Sequence, residues 1–128
     1  MAQIYSFRDL HVYQEAFELQ QSIFQISKTW PREEKYSLTD QIRRSSRAIG
    51  ANIAESWAKR SYPLHFVSKL TDADGELQET VHWLATALAC EYIVEKDQRD
   101  FQAHIEKTGK SLGKMISIPE KFVPKSGF

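Results

Sequence analysis

Only one cysteine, Cys90, stands in the 128 residues, so no disulfide can form within the chain. That fits a reducing compartment, and a cytoplasmic location is expected. No apolar run approaches the roughly 20 residues a membrane span needs. Met1 to Asp9 lacks the basic-then-apolar order of a signal peptide. Neither sign of charge is in excess: 17 Lys and Arg stand against 17 Asp and Glu, with a pI near 6.9. A dedicated nucleic-acid binder is usually basic overall, so any such role has to come from a local patch. No phosphate loop, dinucleotide fingerprint or nucleophile elbow is present, which leaves enzymatic readings unsupported and implies no cofactor. Glycine and proline are also few, five and four, and mostly punctuate the ends of long periodic stretches.

Those stretches predict an all-α, antiparallel, up-down-up-down four-helix bundle in one domain spanning residues 1–128. The helices are expected at about 7–28, 37–60, 63–93 and 97–117, with a tail over 118–128 that is ordered only if it docks. Ser6 and Asp9 have capping-box spacing ahead of the first helix. Its stripe reads Leu10, Tyr13, Phe17 and Phe24, with Ala16, Ile23 and Ile26 adjoining. The second helix carries Leu38, Ile42, Ile49, Ile53 and Trp57. Ser45, Ser46, Gly50 and Ala54 lie nearby as small residues that admit a close neighbour. Gly50 costs about 1 kcal/mol of helix propensity against Ala, so a packing reason is expected. The third helix steps by three or four through Phe66, Leu70, Ala73, Leu77, Val81, Leu84, Leu88 and Tyr92. Ser61 is its expected cap, and Pro63 sits in its first turn. The fourth carries Phe101, Ile105, Leu112 and Met115.

Glu79 and His82 spell Glu-x-x-His, half of a di-iron carboxylate motif. None of His11, His65 and His104 has a glutamate three residues before it, so no metal is expected. Asp72-Ala73-Asp74-Gly75 resembles the start of a calcium loop, but Trp83 stands at its twelfth position where a glutamate is needed. Cys90 falls near a helix C-terminus, where the dipole disfavours a thiolate, and reads as an inert, buried or half-buried thiol.

A charge asymmetry remains. The second helix holds Arg43, Arg44 and Arg47, then Lys59 and Arg60, against one acid, Glu55; the third answers with Asp72, Asp74, Glu76 and Glu79. The bland reading pairs the basic helix with the acidic one. The functional reading turns arginines outward to phosphates, which the guanidinium fork suits. Arg44 lies close in angle to the apolar seam and needs a carboxylate if buried, with Glu55 or Glu79 in reach. Arg43, Arg47, Lys59 and Arg60 are expected to be free. Asn52 sits among apolar neighbours and is expected to make a structural polar contact.

Phe7-Arg8-Asp9-Leu10, Val12-Tyr13-Gln14, Trp30-Pro31, Gln41-Ile42-Arg43-Arg44-Ser45 and Ala51-Asn52-Ile53-Ala54-Glu55 form a recognisable series. Lys69-Leu70-Thr71-Asp72-Ala73, Glu79-Thr80 and Trp83-Leu84 continue it. The chain thereby resembles the four-helix-bundle proteins encoded by intervening sequences in 23S ribosomal RNA genes, also labelled S23 ribosomal proteins. The resemblance implies a ring-like homopentamer without enzymatic activity. Accessory proteins of diversity-generating retroelements look similar and are thought to engage nucleic acid and a reverse transcriptase through basic surfaces. Here Ser56 replaces the usual Gly after Ala-Glu, and Asp74-Gly75-Glu76 adds negative charge. The nucleic-acid implication therefore reaches only Arg43, Arg44 and Arg47. The expected partners are other copies of the chain, then RNA or DNA, or alternatively another protein. Tyr5, Phe7, Trp30, Tyr36 and Tyr62, near helix ends, are the expected subunit contacts.

Overall fold

Residues 3–124 are described by the computed structural model, and among them the regular structure is entirely helical. The first turn forms where the side chains supply what the backbone lacks. Ser6 Oγ accepts the Arg8 N–H at 3.1 Å, while Asp9 Oδ2 accepts the N–H groups of Tyr5 and Ser6 at 2.8 and 3.1 Å. This caps a short 3-10 turn, Phe7–Asp9, ahead of helix α1, His11–Ser27. Helix α2, Asp40–Ala58, is entered through a 3-10 turn, Arg32–Glu34, and a π turn, Lys35–Thr39. Helix α3 is Pro63–Ala89 and α4 is Glu95–Ser117.

Contacts between helices run in opposite index order, which makes each neighbouring pair antiparallel. Along α2 and α3, Arg44 meets Glu79, and Glu55 meets Lys69. Along α1 and α2, Ser27 meets Arg43 while Tyr13 lies beside Gly50. The Leu77 side chain lies beside Gly109, and Phe66 stacks on Phe122 at 5.5 Å. α1 closes the square against α4, where His104 Nε2 lies 2.7 Å from the Glu15 carbonyl oxygen. The core is built from Ile42, Ile49 and Ile53 of α2, Phe66, Leu70, Leu77 and Leu84 of α3, and Ile105 and Leu112 of α4.

The first helix is rotated from its expected face. Val12, Ala16, Leu19 and Ile23 are buried, whereas Tyr13 and Phe24 are half-buried and Phe17 is 44% exposed. Both rows have helical spacing; the smaller aliphatic row fits the close-packed interior, and the rings line the edge of α1 beside α2. Gly50 belongs to that edge. A Cβ there would meet Tyr13 Cε1 at 3.5 Å, an ordinary contact, so packing within the chain does not require glycine.

Both ends of α3 differ from expectation. Ser61 does not cap α3: Tyr62 holds the N-cap position without a side-chain bond, and Pro63 follows it. Helix α3 stops at Ala89, short of residue 93, because Glu91 adopts φ 64°. The N–H groups of Glu91 and Tyr92 then return to the carbonyls of Leu88 and Ala87, at 3.0 and 2.9 Å. That is a Schellman termination with glutamate in the left-handed position glycine usually takes. It leaves Cys90 exposed at the helix end rather than buried. The tail docks as far as Pro124, with a 3-10 turn Pro119–Lys121 and Phe122 half-buried on Phe66; the rest of the expected tail, 125–128, lies outside the described residues.

Candidate nucleic-acid interface

Consecutive residues on an α-helix point about 100° apart, so Arg43 and Arg44 leave α2 toward different neighbours. Arg44 goes to α3. It pairs with Glu76 at 3.2 Å and with Glu79, whose Oε2 also accepts the Trp83 indole N–H at 3.2 Å. Its charge is therefore matched within the chain. Glu55, the other acid expected near Arg44, instead takes Lys69 at 2.9 Å. Directly behind the Arg44 clamp, the buried hydroxyls of Ser45 and Thr80 lie 2.9 Å apart, closing this seam with a polar pair.

Arg43 goes to α1. Its Nε donates to Ser27 Oγ at 2.9 Å, and Ser27 Oγ in turn donates to the Phe24 carbonyl at 3.0 Å. The guanidinium lies 4.8 Å from the Phe24 ring centroid. Arg47, one turn on, lies 5.5 Å from the same ring, and Lys28 Nζ lies 4.7 Å from it. Three cations thus surround one aromatic ring on the α1–α2 edge. Among the described residues, no carboxylate lies within 4.0 Å of any of the three. Cation–π attraction offsets part of their mutual repulsion without neutralising them. The arrangement presents guanidinium and ammonium donors beside an aromatic face, which suits phosphate oxygens.

The remaining expected site residues do not join this cluster. Arg60 folds back on its own helix, donating to the Trp57 carbonyl at 2.8 Å with its guanidinium 4.1 Å from the Trp57 ring. It is not free, because a cation at a helix C-terminus is attracted to the unsatisfied carbonyls there. Lys59 is half-buried and makes no ion pair among the described residues. Asn52 is half-buried, and its side chain makes none of the hydrogen bonds among the described residues, because partial exposure lets water serve it. The Glu79–His82 pair is divided: Glu79 is held by Arg44 and Trp83, and the exposed His82 ring packs edge-on against Trp83 at 4.8 Å. No group of three or more His, Cys, Asp or Glu among the described residues is placed to hold a metal ion.

Sequence reasoning missed Lys28, Phe24 and Ser27, which sit on a different helix from the arginines. A usable signal existed, since antiparallel pairing brings the last turn of α1 beside the first turns of α2. Of the expected subunit contacts, Trp30 and Phe7 turn inward: Trp30 is buried, and Phe7 packs on Tyr13 at 4.8 Å. Tyr5, Tyr36 and Tyr62 are exposed.

No helix among the described residues is long and apolar enough to cross a membrane. A comparison with curated proteins finds no match. Among solved structures, the chain is similar to a protein of unknown function from the S23 ribosomal protein family of Bacteroides thetaiotaomicron. The two share 30% identity and a TM-score of 0.75 over 83% of this chain and 95% of that one. Residues 8–114 match the 23S rRNA-intervening sequence proteins, and with most of the chain inside that span, the chain belongs to that family.

Proposed function

We propose that this chain is a non-catalytic, cytoplasmic accessory protein that binds RNA or DNA phosphates through the α1–α2 edge, with Lys28, Arg43 and Arg47 as its contacts. The observation that carries this reading is the trio of unpaired cations around Phe24. A neutral protein has no need to gather like charges on one ring unless an anion completes the set. Arg44 is a structural residue in this reading, and Lys59 is not part of the edge. The test is binding to a structured RNA across a salt series, comparing wild type with an Arg43→Glu, Arg47→Glu variant. Affinity is expected to fall steeply with salt for wild type, as contacts to phosphate release counterions. Wild-type affinity that is flat with salt, or matched by the variant, would overturn it.

The functional unit is proposed to be a homo-oligomer, a pentamer on the family resemblance. An apolar groove of about 300 Å³ beside the cations supports self-association, with Phe7, Tyr13, Phe17, Gly50, Ala51 and Ala54 in its walls. The same groove favours a second reading, a scaffold that holds another protein and never touches nucleic acid. Light scattering that returns only the 14.8 kDa mass at tens of micromolar would remove the oligomer.

A further inference from the structure

At the end of the basic edge, the chain leaves α1 through Thr29-Trp30-Pro31 and turns into α2. A pocket of about 300 Å³ opens in this corner, lined in part by Lys28, Arg32, Lys35, Arg43, Ser27 and Trp30. Four of those six side chains are cationic. Among the described residues, none of the four has a carboxylate within 4.0 Å. Two acids stand between Arg32 and Lys35. The Glu34 carboxylate is engaged elsewhere, accepting the hydroxyls of Ser37 at 2.7 Å and Tyr92 at 2.8 Å, and the exposed Glu33 is neither in the pocket wall nor in an ion pair with these cations among the described residues. Arg43 is anchored through Nε by Ser27, and its two terminal nitrogens have no hydrogen-bond partner among the described residues, which suits them to bidentate recognition. A second observation is independent of charge. Trp30 is 7% exposed, and its indole N–H is buried with no acceptor. Buried donors are almost always satisfied, and this one, on a residue of the pocket wall, has no acceptor among the described residues.

We infer that this corner is a binding pocket for a phosphoryl group, and that Arg43 makes it the end station of the nucleic-acid edge proposed above. The inference rests on that reading for the source of the phosphate: the strand supplies a phosphate to the pocket while Arg47 and Lys28 follow its backbone. Four cations suit a terminal phosphomonoester, which carries close to two negative charges near neutral pH. Free inorganic phosphate would offer the same oxygens, so the experiment separates the sources.

The three tryptophan indole N–H resonances of the whole chain are followed by ¹⁵N NMR in phosphate-free buffer, with Trp30 assigned through Trp30→Phe. Inorganic phosphate is titrated against chloride at matched ionic strength, followed by a 5′-phosphorylated oligonucleotide and its 5′-hydroxyl counterpart. A saturable shift of Trp30 with phosphate and not chloride is expected. It should weaken by about tenfold or more in Arg32→Glu, Lys35→Glu, two exposed positions, with Lys28→Ala as a milder second variant. The 5′-phosphorylated strand should bind more tightly than the 5′-hydroxyl strand. Arg47 does not line the pocket, so Arg47→Glu should weaken the oligonucleotide and leave the inorganic phosphate response unchanged. No phosphate-specific Trp30 shift, or one indifferent to both pocket variants, overturns the pocket even if the edge binds strands. A phosphate response without oligonucleotide binding upholds the pocket and defeats the nucleic-acid edge.

Discussion

The two long seams of α2 treat the same kind of side chain in opposite ways. On the α3 side, Arg44 is matched by Glu76 and Glu79, Lys69 by Glu55, and the buried Ser45 and Thr80 hydroxyls lie within hydrogen-bond distance. On the α1 side, Lys28, Arg43 and Arg47 gather on a ring with no acid within ion-pair distance among the described residues. Adjacent arginines thus serve fold and surface respectively, and the neutral net charge of the chain conceals it. Charge balance over a whole sequence says little about a face when one helix can send its cations to two neighbours.

Charge reversal should split the two seams cleanly. Arg43→Glu with Arg47→Glu should lose about 100-fold or more in affinity for duplex nucleic acid at moderate salt. It should also reduce the slope of log affinity against log salt by about 2, near 0.9 for each phosphate contact removed. Its melting temperature should move little, since neither arginine has an acidic partner among the described residues and losing the Ser27 bond and the ring contacts is offset by relief of repulsion with Lys28. Arg44→Glu should do the reverse, placing a third carboxylate beside Glu76 and Glu79. A loss of about 1–2 kcal/mol in a denaturant titration is expected, held to that size because half of the Arg44 side chain is in water. Binding by the folded variant should be close to wild type. If Arg44→Glu abolished binding while Arg43→Glu, Arg47→Glu destabilised the fold, the assignment of the seams would be inverted. A sharper version frees Arg44 with Glu76→Gln and Glu79→Gln, and the salt slope should then steepen by up to about 1.

The helices were legible because apolar residues recur at three and four along each of them, and Gly, Pro or a capping side chain marks most ends. Helix α1 shows the limit: two adjoining rows, Val12-Ala16-Leu19-Ile23 and Tyr13-Phe17-Phe24, both satisfy the period, and only packing against α2 and α4 selects the first. The early stop of α3 was illegible because it rests on a left-handed glutamate, Glu91, where no glycine announces the turn. At the candidate site, a carboxylate for Arg44 could be anticipated from the acidic run on α3, although Glu76 was not singled out and Glu55 turned to Lys69. The Phe24 cluster could not be read from α2 alone, because its members come from two helices and meet through antiparallel register. Ser27 is the least legible of all, a buried hydroxyl whose role is to hold one nitrogen of a residue 16 positions away.

The Glu34–Tyr92 bond explains how the basic corner keeps its acid apart. Tyr92 is pushed up to about 12, first by its hydrogen bond to Glu34, then by desolvation and the Glu34 charge. Glu34 is held below its ordinary value, chiefly by the Ser37 hydroxyl and then by Tyr92. A raised phenol favours the fold below its ordinary value near 10, and the contribution is lost as pH climbs through about 12. The lowered carboxylate contributes above 4.5 and is lost as pH falls through its folded value. Titrating the five tyrosines by absorbance should show one ionising last, and Glu34→Gln should return that one toward 10. A wild-type curve without the late step would mean the carboxylate is free to turn back on Lys35 and Arg32.

The smallest effect bears on why the α1 side stays open. Gly50 pays the helix penalty, yet a methyl group there would sit 3.5 Å from Tyr13 and 3.9 Å from Gln20 Oε1. Gly50→Ala should therefore stabilise the isolated chain by about 0.5–1 kcal/mol, read as a rise in the denaturation midpoint at low concentration. The same methyl narrows the groove that Phe17 and Ala54 share with Gly50. If that groove receives a second copy, the substitution that strengthens the monomer should weaken its assembly, and mass by light scattering should fall as stability rises. Stability and mass rising together, or mass unchanged, would place any subunit contact elsewhere and leave the glycine without a role that either seam accounts for.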